Sequence, residues 1–458
     1  MSLHGQLTPN NLPAAFVKRM QKQLSDAPLF FEALQSVPPV SIRLNPVKLP
    51  LPDSPFLTER ILSKVEWCRH AYYLDRRPVF TLDPCLHSGG YYVQEASSMF
   101  LDQILQQILP PHPLRVLDLC AAPGGKSTLL ASALPAGSLL VANEVIRTRA
   151  AILKENLIKW GADNVVITQN DPACFSYLRN CFDLILVDAP CSGEGMFRKD
   201  EKAISEWSER NLQLCKERQQ RILKDIWPTL KPGGHLIYST CTYNPGENEE
   251  ILSWLLNQYD ALSVPVTHTL GDSLSPTLHG YQFYPHKIKG EGFFIGVIQK
   301  TGEQKETPQV KKEKKSPVRL PEGLQELLPQ DQEFSGYNSG NVLGIIPTRH
   351  AEFTALLDKQ LTVLYKGCEL AEINGRKFKM QPALALYQCL DKTRLICKDT
   401  DLESALRYLK KEDISTDAPA GSWVLITHNG MGMGWGKSLG SRLNNYYPKE
   451  WRIRMSTD

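Results

Sequence analysis

Four side chains in this 458-residue chain have the type and setting for covalent chemistry: the thiols of Cys191 and Cys241, the carboxylate of Asp188, and the ammonium of Lys126. A cysteine reacts as its thiolate, and a lone one is usually a small buried hydrophobe, which is the reading that suits the other nine cysteines here. Cys191 and Cys241 differ from those nine because each follows a short apolar run and sits beside a proline or a Ser/Thr-rich turn, in DAPCSGEGMFRK and STCTYNPGENEE. Two thiols on neighbouring strand ends, facing one crevice, suggest covalent catalysis.

The elements that must deliver them read as a doubly wound α/β unit. Arg115–Leu119 is a buried strand, CAAPGGK a tight loop, and Ser127 onward a helix whose free N–H groups face whatever sits in the loop. The loop misses the phosphate pattern GxxxxGK[ST] by one residue, with Cys120 where a glycine would bend the backbone, so an NTPase is disfavoured. GxGxxG is absent too, leaving a crevice suited to a nucleoside with little or no phosphate. Ser138–Asn143 is the second strand, and Glu144 follows Asp118 by about 26 residues, near the spacing at which an acid meets ribose hydroxyls. Alternatively, Glu144 simply begins the next helix. Arg149–Trp160 is that helix, and Asn164–Thr168 a third strand with Asn170 and Asp171 at its C-terminal end; Asp171 either bonds an adenine amino group or caps the next segment. Phe182–Val187 is the fourth strand, Ala203–Trp227 a long polar helix, and KPGG a turn into the strand that ends at Cys241. Glu247–Leu256 is helical, and YQFYPHKIKGEGFFIGVIQK closes the sheet as a hairpin whose His286 and Lys287 are read as solvated.

Length requires more than one domain. Before the sheet lies a mixed lead-in: helical spacing at Leu12–Leu24 and Leu29–Leu34, a strand at Val40–Leu44, and a helical piece at Leu57–Val65. Arg43, Asn45, Gln94 and Glu95 are read there as turn or cap residues. The sequence shows no secretory signal and no apolar run long enough to span a bilayer, so a cytoplasmic protein is expected. Eleven cysteines without a CxxC pair signal neither a disulfide framework nor a zinc site; reduced thiols and no metal are expected. A net charge of +3 says little about nucleic acid, so the placing of the bases must carry that case.

After the hairpin, TGEQKETPQVKKEKKSP reads as a flexible linker. A further α/β region follows, with strands at Asn341–Pro347, near Leu361–Leu364 and near Phe378–Met380, and helices at Glu352–Leu357 and Leu402–Leu409. Its tail interleaves Trp435, Tyr446, Tyr447 and Trp451 with Lys437, Arg442, Lys449, Arg452 and Arg454. Stacking surfaces beside cations suit unpaired bases and phosphates; the alternative is that the aromatics are core and the glycines turns.

CAAPGGK, DAPCSGEGMFRK and STCTYNPGENEE, in that order, resemble the motifs of the S-adenosylmethionine-dependent RNA cytosine-5 methyltransferases of the NOL1/NOP2/Sun family. SIRLNPVK, GYYVQEASSM and GEGFFIGVIQ extend the resemblance over roughly residues 40 to 300. Within that family, the tail GWGKSLGSRLNNYYPKEWR resembles the bacterial type that modifies small-subunit ribosomal RNA and carries a PUA-like RNA-binding region. The resemblance implies an α/β lead-in at 1–100, a Rossmann-like methyltransferase domain at 101–300, a Lys-rich linker at 301–318 and a PUA-like region at 319–458. It implies S-adenosylmethionine as cofactor, held by Cys120, Ala121, Ala122, Pro123, Gly124, Gly125, Lys126, Glu144, Asp171 and Asp188. Cys241 resembles the nucleophile that adds to carbon 6 of cytosine, Cys191 the residue that assists release, and Asp188 the group that meets the base; the role of Lys126 is open. Lys437, Arg442, Tyr446, Trp451 and Arg452 are the implied RNA contacts. The expected partner is ribosomal RNA or the small ribosomal subunit, bound by a monomer. Transfer RNA is the rival substrate, and a non-catalytic ribosome-assembly factor the rival class.

Overall fold

The structure, a computed structural model, describes residues 11–302, 318–375 and 377–455. Most of the expected Lys-rich linker therefore lies outside the described residues. Helices α1 (Ala14–Gln23) and α2 (Ala27–Gln35) open the described chain, and their apolar faces, with Phe16, Met20, Phe30 and Leu34 buried, do not pack on each other alone. They cover Phe197, Tyr243 and Tyr284, so that Phe16 meets Phe197 edge-on at 5.0 Å and Phe30 meets Tyr243 at 5.0 Å. Both target residues belong to the two cysteine motifs, which ties the first helices to the candidate site. Strand β1 (Val40–Leu44) comes next, then a short α3 (Pro55–Thr58), β2 (Ile61–Lys64), β3 (Ala71–Leu74), α4 (Pro84–His87) and β4 (Tyr91–Val93); the strands form an antiparallel sheet in the order β2-β3-β1-β4. The helix expected over Leu57–Val65 is thus cut short at Thr58, because Ile61–Lys64 pairs with β3 and sheet hydrogen bonds override the local spacing.

Helix α5 (Phe100–Ile108) leads into the central sheet: β5 (Arg115–Asp118), α6 (Gly125–Ala133), β6 (Leu139–Asn143), α7 (Arg147–Trp160), β7 (Val165–Thr168), β8 (Phe182–Asp188), α8 (Glu201–Glu206), α9 (Glu209–Ile226), β9 (Leu230–Thr240), α10 (Glu249–Gln258), and β10 (Ala261–Ser263), β11 (Ser275–Pro276), β12 (Tyr281–Phe283) and β13 (Phe293–Lys300). Strands β9, β8, β5, β6 and β7 run parallel, and their near-continuous apolar burial is what a sheet covered on both faces demands. β13 adds antiparallel beyond β9. The helix expected over Ala203–Trp227 is two helices, because the Ser208 side chain accepts the Asn211 N–H and starts α9 afresh. The expected KPGG turn is instead the first part of β9, with Gly233 at φ 80°. His286, expected to be solvated, has a side chain only 4% exposed, with its Nε2 3.1 Å from Asp26.

The C-terminal region holds α11 (Glu322–Gln325), β14 (Phe334–Ser339), β15 (Val342–Pro347), α12 (Ala351–Gln360), β16 (Val363–Lys366), β17 (Cys368–Asn374), β18 (Lys377–Met380), α13 (Pro382–Leu386), β19 (Ile396–Asp399), α14 (Leu402–Leu409), β20 (Trp423–His428), β21 (Met431–Ser438) and β22 (Leu443–Asn445). Two four-stranded sheets result, β14-β15-β17-β18 and β19-β20-β21-β22, but β16 belongs to neither: it pairs antiparallel with β7 and completes the edge of the central sheet. Other seams are polar and buried. Asn45 donates to the carbonyls of Gly89 and Trp160, and Lys48 Nζ donates to those of Ser88 and Lys159 at the C-terminus of α7, where a cation suits the helix dipole even though burial pushes its pKa down to about 7. Tyr447 reaches His87 at 3.2 Å, and Tyr387 donates to Asp163 at 2.8 Å.

Candidate active site

Because β5 to β9 run parallel, their C-terminal ends open along one edge, and the expected site residues lie there. The loop after β5 carries a cis Ala122–Pro123 peptide and turns at Gly124, whose φ of 117° is open to glycine and strained for other residues. α6 then starts with its N–H groups toward the loop. Behind it, the buried Arg43 donates to the Gly125 carbonyl and to Thr128 Oγ1, is held by Gln94, and lies over the Trp160 ring at 4.7 Å. Arg43 and Gln94, expected as turn or cap residues, are thus a clamp on the loop. Asp118 accepts from Ser127 Oγ at 2.7 Å through one oxygen, while its other oxygen is buried without a hydrogen-bond partner among the described residues, and burial pushes its pKa up to about 7.

The thiols of Cys191 and Cys241 meet at 3.2 Å, and the Cys241 N–H points at the Cys191 sulfur at 3.3 Å. The Cys191 thiol is held well above its ordinary pKa, first by its hydrogen bond to Cys241 and then by burial. Three anchors fix this pair. Ser192 donates its N–H and its hydroxyl to the buried Glu247, which Gln219 also bonds. Gly195 donates its N–H to the Cys241 carbonyl at 2.8 Å, and a Cβ there would stand 2.3 Å from the Gly292 carbonyl oxygen, so only glycine allows that approach. Glu194, fully buried, holds Arg19 of α1 at 2.6 Å and accepts from Trp207 and the Tyr243 N–H. Beside the thiols, Lys126 Nζ lies 2.8 Å from Asp188, which also accepts from Ser239 Oγ at 2.7 Å. Burial works against the Lys126 charge, but Asp188 outweighs it and holds the lysine pKa above the ordinary value.

Glu144 follows β6 and is buried; one oxygen accepts the Ile146 N–H at 2.9 Å, and the other, 3.4 Å from Arg149, accepts no hydrogen bond from the described residues. Asp171 caps the next turn through the Ala173 N–H and pairs with Arg221 at 3.1 Å; although burial pushes the other way, these partners hold its pKa below the usual carboxylate value. Two buried carboxylate oxygens lacking donors, the free N–H end of α6, and the half-exposed Val145 and Ile146 beside Glu144 fit a ligand with hydroxyl groups, a cationic centre and an aromatic base. A separate cavity of about 330 Å³, lined by Leu109, His112, Asp183 and His235 among others, lies at the opposite edge of the sheet, away from the thiols.

The tail residues do not gather in the same way. Trp435 and Tyr447 are core, Tyr446 packs on Trp423 at 4.8 Å, and Trp451 lies under Lys159 of α7 at 5.2 Å. Lys437 sits over Trp423 at 5.4 Å, Arg442 pairs with Asp413 at 2.6 Å, and Arg452 is exposed. Ser239, Glu194 and Glu247 were not singled out from the sequence, yet each lies within or beside the quoted cysteine motifs, as polar residues flanking buried apolar ones.

A family model described as 16S rRNA methyltransferase RsmB/F matches residues 106–299; one described as the N-terminal domain of 16S rRNA methyltransferase RsmF matches 12–96, and one described as the methyltransferase RsmF PUA domain matches 398–453. The chain is 32% identical to the ribosomal RNA small subunit methyltransferase F of Erwinia tasmaniensis, over 96% of each chain, and 31% identical to that of Enterobacter sp. strain 638, over 96% of this chain and 95% of the other. Among solved structures, a methyltransferase homolog protein from Pyrococcus horikoshii superposes with a TM-score of 0.54 at 28% identity, covering 64% of this chain and 100% of that one. NSun6 from the same organism, solved with SFG, shares the fold at a TM-score of 0.54 and 19% identity, covering 64% of this chain and 99% of that one.

Proposed function

Given that the chain belongs to the RsmF-type 16S rRNA methyltransferases, an S-adenosylmethionine-dependent family, we propose that it methylates carbon 5 of a cytosine in small-subunit ribosomal RNA through a transient bond between Cys241 and the base. The observation that carries this reading is the contact of two thiols at 3.2 Å on the ends of neighbouring parallel strands, next to a loop and carboxylates that suit a nucleoside.

Carbon 5 of cytosine is a weak nucleophile. A thiolate that adds to carbon 6 pushes the electron pair of the 5,6 double bond onto carbon 5, which makes that carbon reactive. Cys241 would take the nucleophile's part, as its strand end resembles the family's, and the Cys191 thiol, held above its ordinary pKa by its bond to Cys241 and by burial, lies against that sulfur. S-adenosylmethionine supplies, when bound, a methyl group made electrophilic by its sulfonium. Residues Cys120 to Lys126 would hold its methionine part, Glu144 its ribose, and Asp171 its adenine side. Asp188, steadied by Lys126 and Ser239, would accept from the cytosine amino group, or donate to ring nitrogen 3 when protonated. After methylation the carbon 5 proton must leave to a base and the carbon 6–sulfur bond must break, restoring the double bond. Cys191 would assist that release, directly or through water. The target base would be unstacked into the crevice. Among the expected RNA contacts, Arg452 and Arg442 keep exposed side chains, whereas Tyr446, Trp451 and Lys437 would contribute from half-buried positions.

With small-subunit RNA and the donor, Cys191→Ala should accumulate a protein–RNA complex that survives denaturing electrophoresis, while Cys241→Ala should form none and transfer no methyl group. An adduct from Cys241→Ala would reverse the two roles. Mapping 5-methylcytosine in RNA from a deletion strain beside its parent decides between ribosomal and transfer RNA.

A further inference from the structure

The loop expected to hold the donor hangs from a chain of amides that ends in the C-terminal region. Asn143, the last residue of β6, is buried and spends its whole side-chain capacity on the neighbouring strand ends: Nδ2 donates to the carbonyls of Leu119 (3.1 Å) and Asn170 (3.0 Å), and Oδ1 accepts from Thr168 Oγ1 (2.9 Å) and the Asn170 N–H (3.0 Å). Its own carbonyl accepts the Ala121 N–H at 2.8 Å, so the first residues of CAAPGGK are suspended from it as well. Asn170, 9% exposed, turns its amide away from solvent onto a peptide 192 residues further along the chain. Its Oδ1 accepts the Thr362 N–H at 2.9 Å and its Nδ2 donates to the Thr362 carbonyl at 3.3 Å, while the Gln169 N–H reaches the same carbonyl at 3.0 Å.

β16 does not need this side chain to dock. It already pairs with β7 through Val363 with Thr168, Tyr365 with Ile167 and Lys366 with Val166, all backbone contacts. What the Asn170 amide adds is a hold on the segment beyond β7, where Asp171 follows immediately. A side-chain amide in that position also satisfies the Thr362 N–H and shares the Thr362 C=O with the Gln169 N–H.

We infer that Asn170 is a positioning residue for the methyl donor: by clasping the main chain of Thr362 it ties the C-terminal region to the strand ends that carry the donor loop and Asp171, making that region part of the frame of the donor pocket. The inference rests on the crevice being the donor site. Asn170 touches no reacting atom, so its loss should loosen donor binding and leave the chemical step alone.

The test uses the full-length protein, with S-adenosylmethionine binding followed by calorimetry and methyl transfer to small-subunit RNA followed by kinetics. Asn170→Ala should raise Kd and KM for S-adenosylmethionine by about threefold to tenfold, the worth of one net amide–peptide pair, with kcat changed by less than about twofold. Thr362→Pro, which removes the donated N–H, should weaken the donor similarly, and the double variant should lose no more than the weaker single variant, since the two changes break one contact. Donor affinity in Asn170→Ala equal to wild type overturns the inference, as does a loss confined to kcat or a fully additive double variant. Failure of the wild-type protein to bind S-adenosylmethionine would instead bring down the reading of the crevice, and the two failures are seen in different proteins.

Discussion

The sheet edge at Cys191 and Cys241 and the tail from Trp423 to Arg454 are equally dense in chemistry-bearing side chains, yet they fold to opposite ends. At the edge, residues 50 positions apart converge because parallel strands deliver their C-terminal ends to one place. In the tail, residues crowded within a short stretch are dispersed, because antiparallel strands send successive side chains to opposite faces and one face is core. Trp435 there is 1% exposed, with its indole N–H on the Gln381 carbonyl at 2.9 Å, and Arg442 is taken up by Asp413. Density along the sequence is therefore a poor guide to a site; position at a strand end is a better one.

The contrast can be broken most sharply at the thiols. Cys241→Ala should lower methyl transfer by at least about a thousandfold while leaving the thermal transition in place, because the sulfur faces the crevice rather than the core. Trp435→Ala should do the reverse, costing about 3–5 kcal/mol of stability from the cavity it leaves, read as a fall in denaturant midpoint. A Trp435→Ala protein of unchanged stability but poor RNA binding would erase the distinction between the two regions. A smaller effect concerns Asp118. Burial raises its folded-state pKa to about 7, above the ordinary aspartate value of 3.8, so the folded protein holds this proton more tightly and the stability it brings is lost as pH rises between those values. Wild-type melting temperature should therefore decline relative to Asp118→Asn between about pH 4 and pH 7, and parallel melting profiles would contradict that. Least of all should follow from Arg442→Ala, since an exposed ion pair is worth about 0–1 kcal/mol: stability should hold, and RNA affinity should fall by no more than about threefold, with a slightly shallower salt dependence.

The strands and the meeting of the motifs were legible because buried parallel strands are written as apolar runs and the site residues follow those runs directly. What escaped was what depended on distant partners. His286 looked like a solvated histidine because nothing near it in sequence announces Asp26, which arrives from the turn between α1 and α2. The break between α8 and α9 was hidden because Ser208 is polar in a stretch that is polar throughout, and only its cap on Asn211 reveals it. Leu361–Leu364 is strand-like in sequence, but no local pattern says which sheet such a strand will join. Arg43 has the look of a turn residue in sequence, since its partners Gly125 and Thr128 belong to the first turn of α6, some eighty positions away.

The pairing of β16 with β7 has a consequence for how the molecule comes into being. During synthesis every cysteine and carboxylate of the crevice emerges well before residue 363, so for a time the sheet has all its chemistry and an open flank. The backbone groups of Val165–Thr168 along that flank are free to recruit a stray strand until the later segment arrives to cover them. A gene shortened after residue 302 would freeze the protein at that vulnerable moment, and insoluble product is the outcome to expect from it.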